Sequence, residues 1–374
     1  MIYLDNAATT FPKPRSVCEE VGRAISEYGG NPGRGAHALS LAAAEKIYSC
    51  REALAEFFGL DAPERVVFTL NTTYALNLAI KGLLGPGEHA LISELEHNAV
   101  CRPLAALAAE RQITFDTFPV LGLDEKSLLA GIESRILPKT RAIICTHASN
   151  ICSLTLPLRA IGRLCRRRGL LFIVDAAQSA GHLPIHMREM QIDALAVPGH
   201  KSLYGIQGCG ALLLSERVLP RTLIEGGSGF ASLSPQMPDE PPERFEAGTL
   251  PTPAIAALLC GVKSLQGQLE QIHERERLLF VSARDRLSDL RGIRLYAPEH
   301  EGAVLLFSFS GIPSSSLAQA LSERGICLRA GLHCAPLAHK ALGTPEVGAL
   351  RISFGRYNTL GDIDTLCRAL SELV

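Results

Sequence analysis

The sequence predicts an α/β protein: a mostly parallel sheet covered by helices on both faces, followed by a smaller α+β unit. Three observations carry this. From about residue 65, short β-branched runs alternate with helical runs. The strand runs are almost continuously apolar, the pattern of strands buried on both faces. After about residue 254 the alternation gives way to one long helical pattern and then to short mixed elements.

In chain order, "RVVFTL" (65–70) reads as a strand, and "TTYALNLAIKGLL" (72–84) as the helix that follows it. "HALISE" (89–94) and the helical run 99–112 repeat the unit, as do "RAIICTHAS" (141–149) and 157–169. The apolar runs "LLFIVDAAQS" (170–179), "IDALAV" (192–197) and "GALLLS" (210–215) complete the series. Ligands of such sheets sit at the carboxyl ends of the strands. Residues 226–253 form a Gly/Pro-rich stretch with little periodicity, and a loop of that length is usually functional. A helical pattern runs from Ala254 to near Leu290. The strand "AVLLFSFS", the helix "SSSLAQALSERG", the stretch "LRAGLHCA", the strand "ALRISFG" and a helix from Asp362 close the chain.

Composition narrows the function. The 374 residues are 47% hydrophobic and 20% charged with a formal net charge of -1, which speaks against a nucleic-acid binder or a polybasic membrane surface and for small substrates. "MIYLDNAATT" lacks a basic then apolar leader, and no apolar run approaches the ~20 residues of a membrane helix, so a soluble cytoplasmic protein is expected. Eleven cysteines without C-x-x-C spacing argue against a disulfide framework and against a metal site. Most are expected to be reduced and buried.

Five stretches stand out. In "AVPGHKSLYGIQGCGALLL", Lys201 follows a strand among Gly199, Gly205, Gly208 and Gly210. Glycines let backbone approach a ligand, and apolar walls lower an amine's pKa, the condition for a Schiff-base lysine; a surface lysine at a strand end fits the segment equally well. Asp175 ends the apolar strand of "FIVDAAQSAG". A carboxylate there suits the ring nitrogen of pyridoxal phosphate (PLP) as well as a helix N-cap. "TLNTTYALN" puts Thr72 and Thr73 at a helix start, a phosphate site or a plain cap. His97 of "SELEHNAV" follows a strand, where an imidazole can lie on a ring or cap a helix. Cys334 lies in "LRAGLHCAPLAHK" with Arg329, His333, His339 and Lys340. It is either one more small hydrophobe or a thiol that does chemistry.

From "YLDNAATT" to "RYNT", seven motifs in order resemble the class V, fold-type I PLP enzymes, and within them the cysteine desulfurase and selenocysteine lyase family. The resemblance implies a seven-stranded PLP-binding domain over residues 14–253 and a small domain over 254–374, with residues 1–13 packing near the active site. It implies that Lys201 is the Schiff-base lysine, Asp175 the partner of the pyridine nitrogen, Gln178 a partner of the phenolic oxygen, and His97 the ring-facing residue that also moves protons. Thr72, Thr73 and His200 would hold the phosphate, with Thr249 reaching in from a second subunit of a homodimer. Asn150 and Arg351 would hold the substrate carboxylate, with Asn6 and Ala7 beside it. "R-x-G-x-H-C-A" resembles the active-site cysteine motif, which makes Cys334 the catalytic nucleophile, with Arg329 and His333 expected to favour its thiolate. The implied reaction turns L-cysteine into L-alanine through a persulfide passed to a protein acceptor. L-selenocysteine is the alternative substrate, and aminotransferase or β-lyase chemistry the alternative reaction. The chain departs from the pattern at Leu332, Pro198, Cys152 and Ser153.

Overall fold

The computed structural model of the chain describes residues 1–374 except Arg34, Arg111, Gln112, Pro345 and Val374. A short strand β1 (Ile2–Tyr3) precedes helices α1 (Arg15–Ser26) and α2 (Ala38–Phe58). Then come β2 (Val66–Thr69), α3 (Thr72–Leu83), β3 (Glu88–Ser93), α4 (Asn98–Ala109), β4 (Ile113–Phe118), α5 (Glu125–Glu133), β5 (Thr140–Thr146) and α6 (Leu158–Arg168). β6 (Leu171–Asp175), β7 (Ala194–Pro198) and β8 (Gly210–Leu214) finish the large sheet. Its order is β2-β8-β7-β6-β5-β3-β4, parallel from β7 to β4 and antiparallel only where β8 meets β7 and β2. The mostly parallel, seven-stranded sheet expected from the sequence is the one found. The last two residues of the helical run 99–112 lie outside the described residues.

Alternation within each apolar run explains the two-sided core. In β6, Phe172 and Val174 join Phe58 of α2 and Ile161 of α6 on one face, while Ile173 joins Leu76 of α3 and Leu104 of α4 on the other. Every residue of β6, β7 and β8 is buried. The strand β4 was not singled out in the sequence, and its chemistry shows why: it lies at the sheet edge with Thr114, Asp116 and Thr117 exposed, so it carries no apolar run. Polar side chains on an edge strand also guard against pairing with another chain.

The chain continues through α7 (Thr252–Lys263), α8 (Leu269–Ser288), β9 (Ile293–Tyr296), β10 (Val304–Phe309), α9 (Ser314–Glu323), β11 (Ile326–Cys327), β12 (Arg329–Gly331), α10 (Pro336–Leu342), β13 (Ala349–Ser353) and α11 (Leu360–Leu373). The helical pattern from Ala254 to Leu290 is thus two helices, separated at a turn where Gly267 takes φ +70°, a region that favours glycine. The apolar residues of α7 join the large-sheet core, including Ile255 and Leu258, whereas Leu279 and Phe280 of α8 pack under the antiparallel sheet β12-β13-β10-β9 with α9 and α11.

Two features position the site. The parallel strands β5, β6 and β7 end at one edge, at Thr146, Asp175 and Pro198, and the N-termini of α3 and α4 open there. The N-terminal segment crosses that edge and ties it to β13 through an Asp5–Ser353 bridge and a 2.8 Å bond from Ala7 N to Ser353 Oγ. The long connection after β8 is anchored by buried Glu246, which accepts from Arg51 Nη1 at 2.9 Å and from Phe68 N at 2.6 Å. Leaving either member of such a buried pair alone costs about 3–5 kcal/mol, which fixes this connection against β2. Among the described residues, no helix is long and apolar enough to cross a membrane.

Candidate active site

At the carboxyl edge of the sheet, Lys201 lies in the loop after β7 and faces a cleft lined also by Thr72, Thr73, His97, Asn150, Asp175, Gln178 and His200. Eight residues singled out in the sequence therefore converge. Three of the four glycines around Lys201, Gly199, Gly205 and Gly210, act differently from expectation. A Cβ on Gly199 would lie 2.7 Å from Cys209 O, and one on Gly210 would lie 2.9 Å from the Asn71 carbonyl carbon, so they admit neighbouring backbone and not a ligand. Their absence of side chains lets β8 close against β7 and against the start of α3.

Burial lowers the Lys201 amine to about 8, against the opposing pull of Asp175. Asp175 is itself buried, which raises its pKa, while Ala177 N donates to its Oδ1 at 2.8 Å and works the other way. His97 caps α4: its Nδ1 accepts from Ala99 N at 3.0 Å, which leaves the ring proton on Nε2. Burial and then the Lys201 charge push it down to about 4, so it is neutral at pH 7. His200, also lowered to about 4 chiefly by burial, has an Nδ1 without a partner, and so does the buried Thr72 Oγ1.

Those two unpartnered atoms test the fit of PLP. Asn71 caps α3 and satisfies Tyr74 N, but the helix start leaves other N–H groups without intrahelical acceptors. Thr72 Oγ1 and His200 Nδ1 add polar atoms that the protein leaves unused. A phosphate at this helix start would satisfy all of them. Asp175 and Lys201 line the same cleft, so the donor set suits the whole cofactor.

Other candidates lie just beyond the cleft. Arg351 is buried on β13, donating from Nη2 to Asp5 Oδ1 at 2.7 Å and from Nη1 to Asn150 O at 3.1 Å, while its buried Nε lacks a partner. Ala7 O accepts from Gln178 Nε2 at 3.0 Å. The Asn6 amide is spent inside the protein: Nδ2 donates to Ser353 O and Asn358 Oδ1, each at 3.1 Å. Thr249 is exposed and lies outside this cleft, lining a separate surface cleft with Leu70, Tyr74 and Ile224. Cys334 is one of only two cysteines of the eleven that are exposed, and no two are bridged. His333 departs from expectation. Burial pushes it to about 3, so it is no cation at neutral pH and leaves Arg329 and Lys340 as the charges of its stretch.

Sequence reasoning missed three residues. Asp5 pairs with Arg351, and its only signal was its place beside Asn6. Lys13 donates from Nζ to His200 O at 2.6 Å, with burial lowering it to about 8. Glu96, next to His97, is fully buried. It is raised to about 8 by burial, accepts from Ser93 Oγ and from Thr146 N at 2.8 Å, and is protonated at pH 7. A carboxylate between an apolar strand run and His97 is its one sequence mark.

Comparison with known proteins fits this geometry. The profile of the family Aminotransferase class-V matches residues 2–366. The chain is 33% identical to a probable cysteine desulfurase of Mycolicibacterium paratuberculosis, an alignment covering all of this chain and 55% of that relative, so it spans about half of that protein's length. It is 31% identical to a probable cysteine desulfurase of Halalkalibacterium halodurans, over all of this chain and 93% of the relative. The apo structure of a cysteine desulfurase from Thermococcus onnurineus NA1 superposes with a TM-score of 0.90 at 29% identity, covering 100% of this chain and 94% of that one.

The Lys201 amine reacts with an aldehyde only when neutral. With its pKa at about 8, the rate at which cofactor-free protein captures PLP should rise about tenfold per pH unit up to about pH 8 and level off above it. Growth of the visible absorption band from pH 6 to 9.5 measures this. A rate that keeps climbing to pH 9.5 would mean an ordinary, solvated lysine.

Proposed function

Because the chain belongs to the class V aminotransferase family, a PLP-dependent family, we propose that it is a cysteine desulfurase, which takes sulfur from L-cysteine onto Cys334 and leaves L-alanine. One observation carries the reading: the turn holding Cys334 is bonded to the walls of the Lys201 cleft. Cys334 O accepts from Asn98 N at 2.7 Å, beside His97, and His333 O accepts from Asn150 Nδ2 at 2.9 Å. Transamination has no use for an exposed thiol held there. The activity named for the relatives supports the same reading.

Lys201 would carry PLP, Asp175 would hold its ring nitrogen, and Thr72, Thr73 and His200 its phosphate. When bound, PLP supplies an electron sink for negative charge at the substrate's Cα. This chain's residues do the rest. The unpartnered Nε of Arg351 is the donor left for the substrate carboxylate, a charge-assisted bond that fixes the amino acid by one end. The Lys201 amine, at about 8, has a neutral fraction at pH 7 that can take the Cα proton. His97, neutral with its proton on Nε2, offers a flat uncharged face and a donor at its far edge. Sulfur transfer needs a separate nucleophile. The Cys334 thiolate forms an S–S bond to the substrate Sγ as the Cβ–Sγ bond breaks, and the electron pair of that bond stays with the carbon fragment that becomes alanine.

The proposal includes a two-fold dimer. Thr249 lies outside the Lys201 cleft of its own chain, and one of the two surface clefts it lines, about 200 Å³ with exposed Leu70, Tyr74 and Ile224, offers an apolar seat for a second copy. Sedimentation should find a dimer, and Thr249→Ala should weaken PLP retention. A fully active, PLP-replete monomer would end this part of the reading.

Cys334→Ser should lower alanine formation from L-cysteine by about 100-fold or more, because a hydroxyl is scarcely ionised at neutral pH and cannot carry sulfur onward. The variant should still show the visible PLP band and still shift it on adding L-cysteine. Undiminished alanine formation would make Cys334 a bystander.

A further inference from the structure

Cys334 sits on an unusual turn. His333 and Cys334 take φ +50° and +56°, two successive non-glycine residues in the left-handed region. Such conformations are costly and persist only where surrounding contacts impose them. Ala335 N closes the turn on Leu332 O at 2.9 Å, and Asn98 N and Asn150 Nδ2 hold its carbonyls. The His333 side chain is buried beneath it.

That side chain begins a continuous chain of hydrogen bonds. His333 Nε2 faces Arg329 O at 3.3 Å, and its Nδ1 lies 3.1 Å from His339 Nε2. His339 Nδ1 lies 2.8 Å from Thr344 Oγ1. The two ring planes are 12° apart with centroids 5.3 Å apart. The 3.1 Å gap between nitrogens is much shorter than the centroid separation, so the rings meet edge to edge and the contact is a hydrogen bond. Protons can then be assigned. A carbonyl only accepts, so His333 Nε2 carries a proton and Nδ1 accepts; His339 Nε2 therefore donates, and its Nδ1 accepts from the Thr344 hydroxyl. Every polar atom is complemented when both rings are neutral, and burial, which lowers them to about 3 and 4, keeps them so. Gly343, at φ +62°, ends α10 and turns the chain so that the Thr344 hydroxyl returns to His339.

We infer that this Thr344–His339–His333 chain holds the left-handed turn of Cys334 in place, which makes His339 and Thr344 positioning residues for sulfur transfer. The inference rests on the reading of Cys334 as the sulfur-accepting thiol. His339 is buried, does not line the Lys201 cleft, and acts through His333.

The test uses the holoprotein with His339→Leu, which removes both ring bonds, and His339→Gln, whose amide N–H can replace the Nε2 donor. Thr344→Val removes the far anchor. Amide hydrogen exchange at Asn98 and Ala335, whose N–H groups bond Cys334 O and Leu332 O, reports the turn directly. His339→Leu should speed both amides about tenfold and lower kcat for alanine formation about tenfold, with KM and the visible PLP band unchanged. His339→Gln should recover most of both, and Thr344→Val should lie between. Unchanged exchange in His339→Leu overturns the inference, and so does His339→Gln behaving no better than His339→Leu. If alanine formation survives Cys334→Ser, the desulfurase reading of this thiol fails by itself, and exchange alone then decides whether the chain holds the turn.

Discussion

Burial of the Lys201 amine beside the buried carboxyl of Asp175 is the constraint on which the rest of the site depends. The same enclosure that lowers Lys201 to about 8 strips charge from its neighbours: His97 and His200 fall to about 4, and Glu96 rises to about 8. At pH 7 the edge of the sheet is thus ringed by neutral polar groups. In such a medium the remaining charges act strongly on whatever enters. The carboxyl ends of β5, β6 and β7 supply the enclosure because those strands carry the apolar stretches Ala142–Cys145, Leu171–Val174 and Ala194–Val197 and lie in the middle of the sheet.

Cross-ties then fix where the reacting groups stand. His200 O, one residue before Lys201, accepts from Thr9 Oγ1 at 3.0 Å and from Lys13 Nζ at 2.6 Å, so the N-terminal segment grips the lysine's own loop. Arg351 reaches from β13 to Asp5 and Asn150, and Asn150 reaches on to His333 O. Both sheets and the N-terminus therefore meet at one guanidinium. Its buried Nε is left uncommitted.

Much of this was legible in the sequence, for physical reasons. Short apolar runs such as Leu171–Val174 between turn signals fit a strand buried on both faces, and the strand ends then locate Asp175 and Lys201. The edge strand β4 escaped notice because its exposed side chains erase the apolar run, and the helix from Ala254 was read as unbroken because one glycine is a weak signal of a turn. Charge was harder to read than position. His333 looked like a cation beside Cys334, yet it is buried and neutral; Gly199, Gly205 and Gly210 looked like room for a ligand, yet that room is occupied by backbone. Asp5 and Glu96 act across the fold, and no local pattern announces a partner hundreds of residues away or a carboxylate kept protonated by its surroundings. Thr249 belongs to the same class, since a single chain leaves it outside the cleft.

The central claim is that sulfur passes from L-cysteine to Cys334 and to no other of the eleven cysteines. Mass spectrometry of the intact holoprotein and its peptides, after brief exposure to L-cysteine without reductant, tests it most directly. One added sulfur on the peptide containing Cys327 and Cys334, assigned to Cys334 by fragmentation and accompanied by an equivalent of alanine, is the predicted result. Alanine released with Cys334 unmodified, or with the added sulfur on another cysteine, would contradict the account.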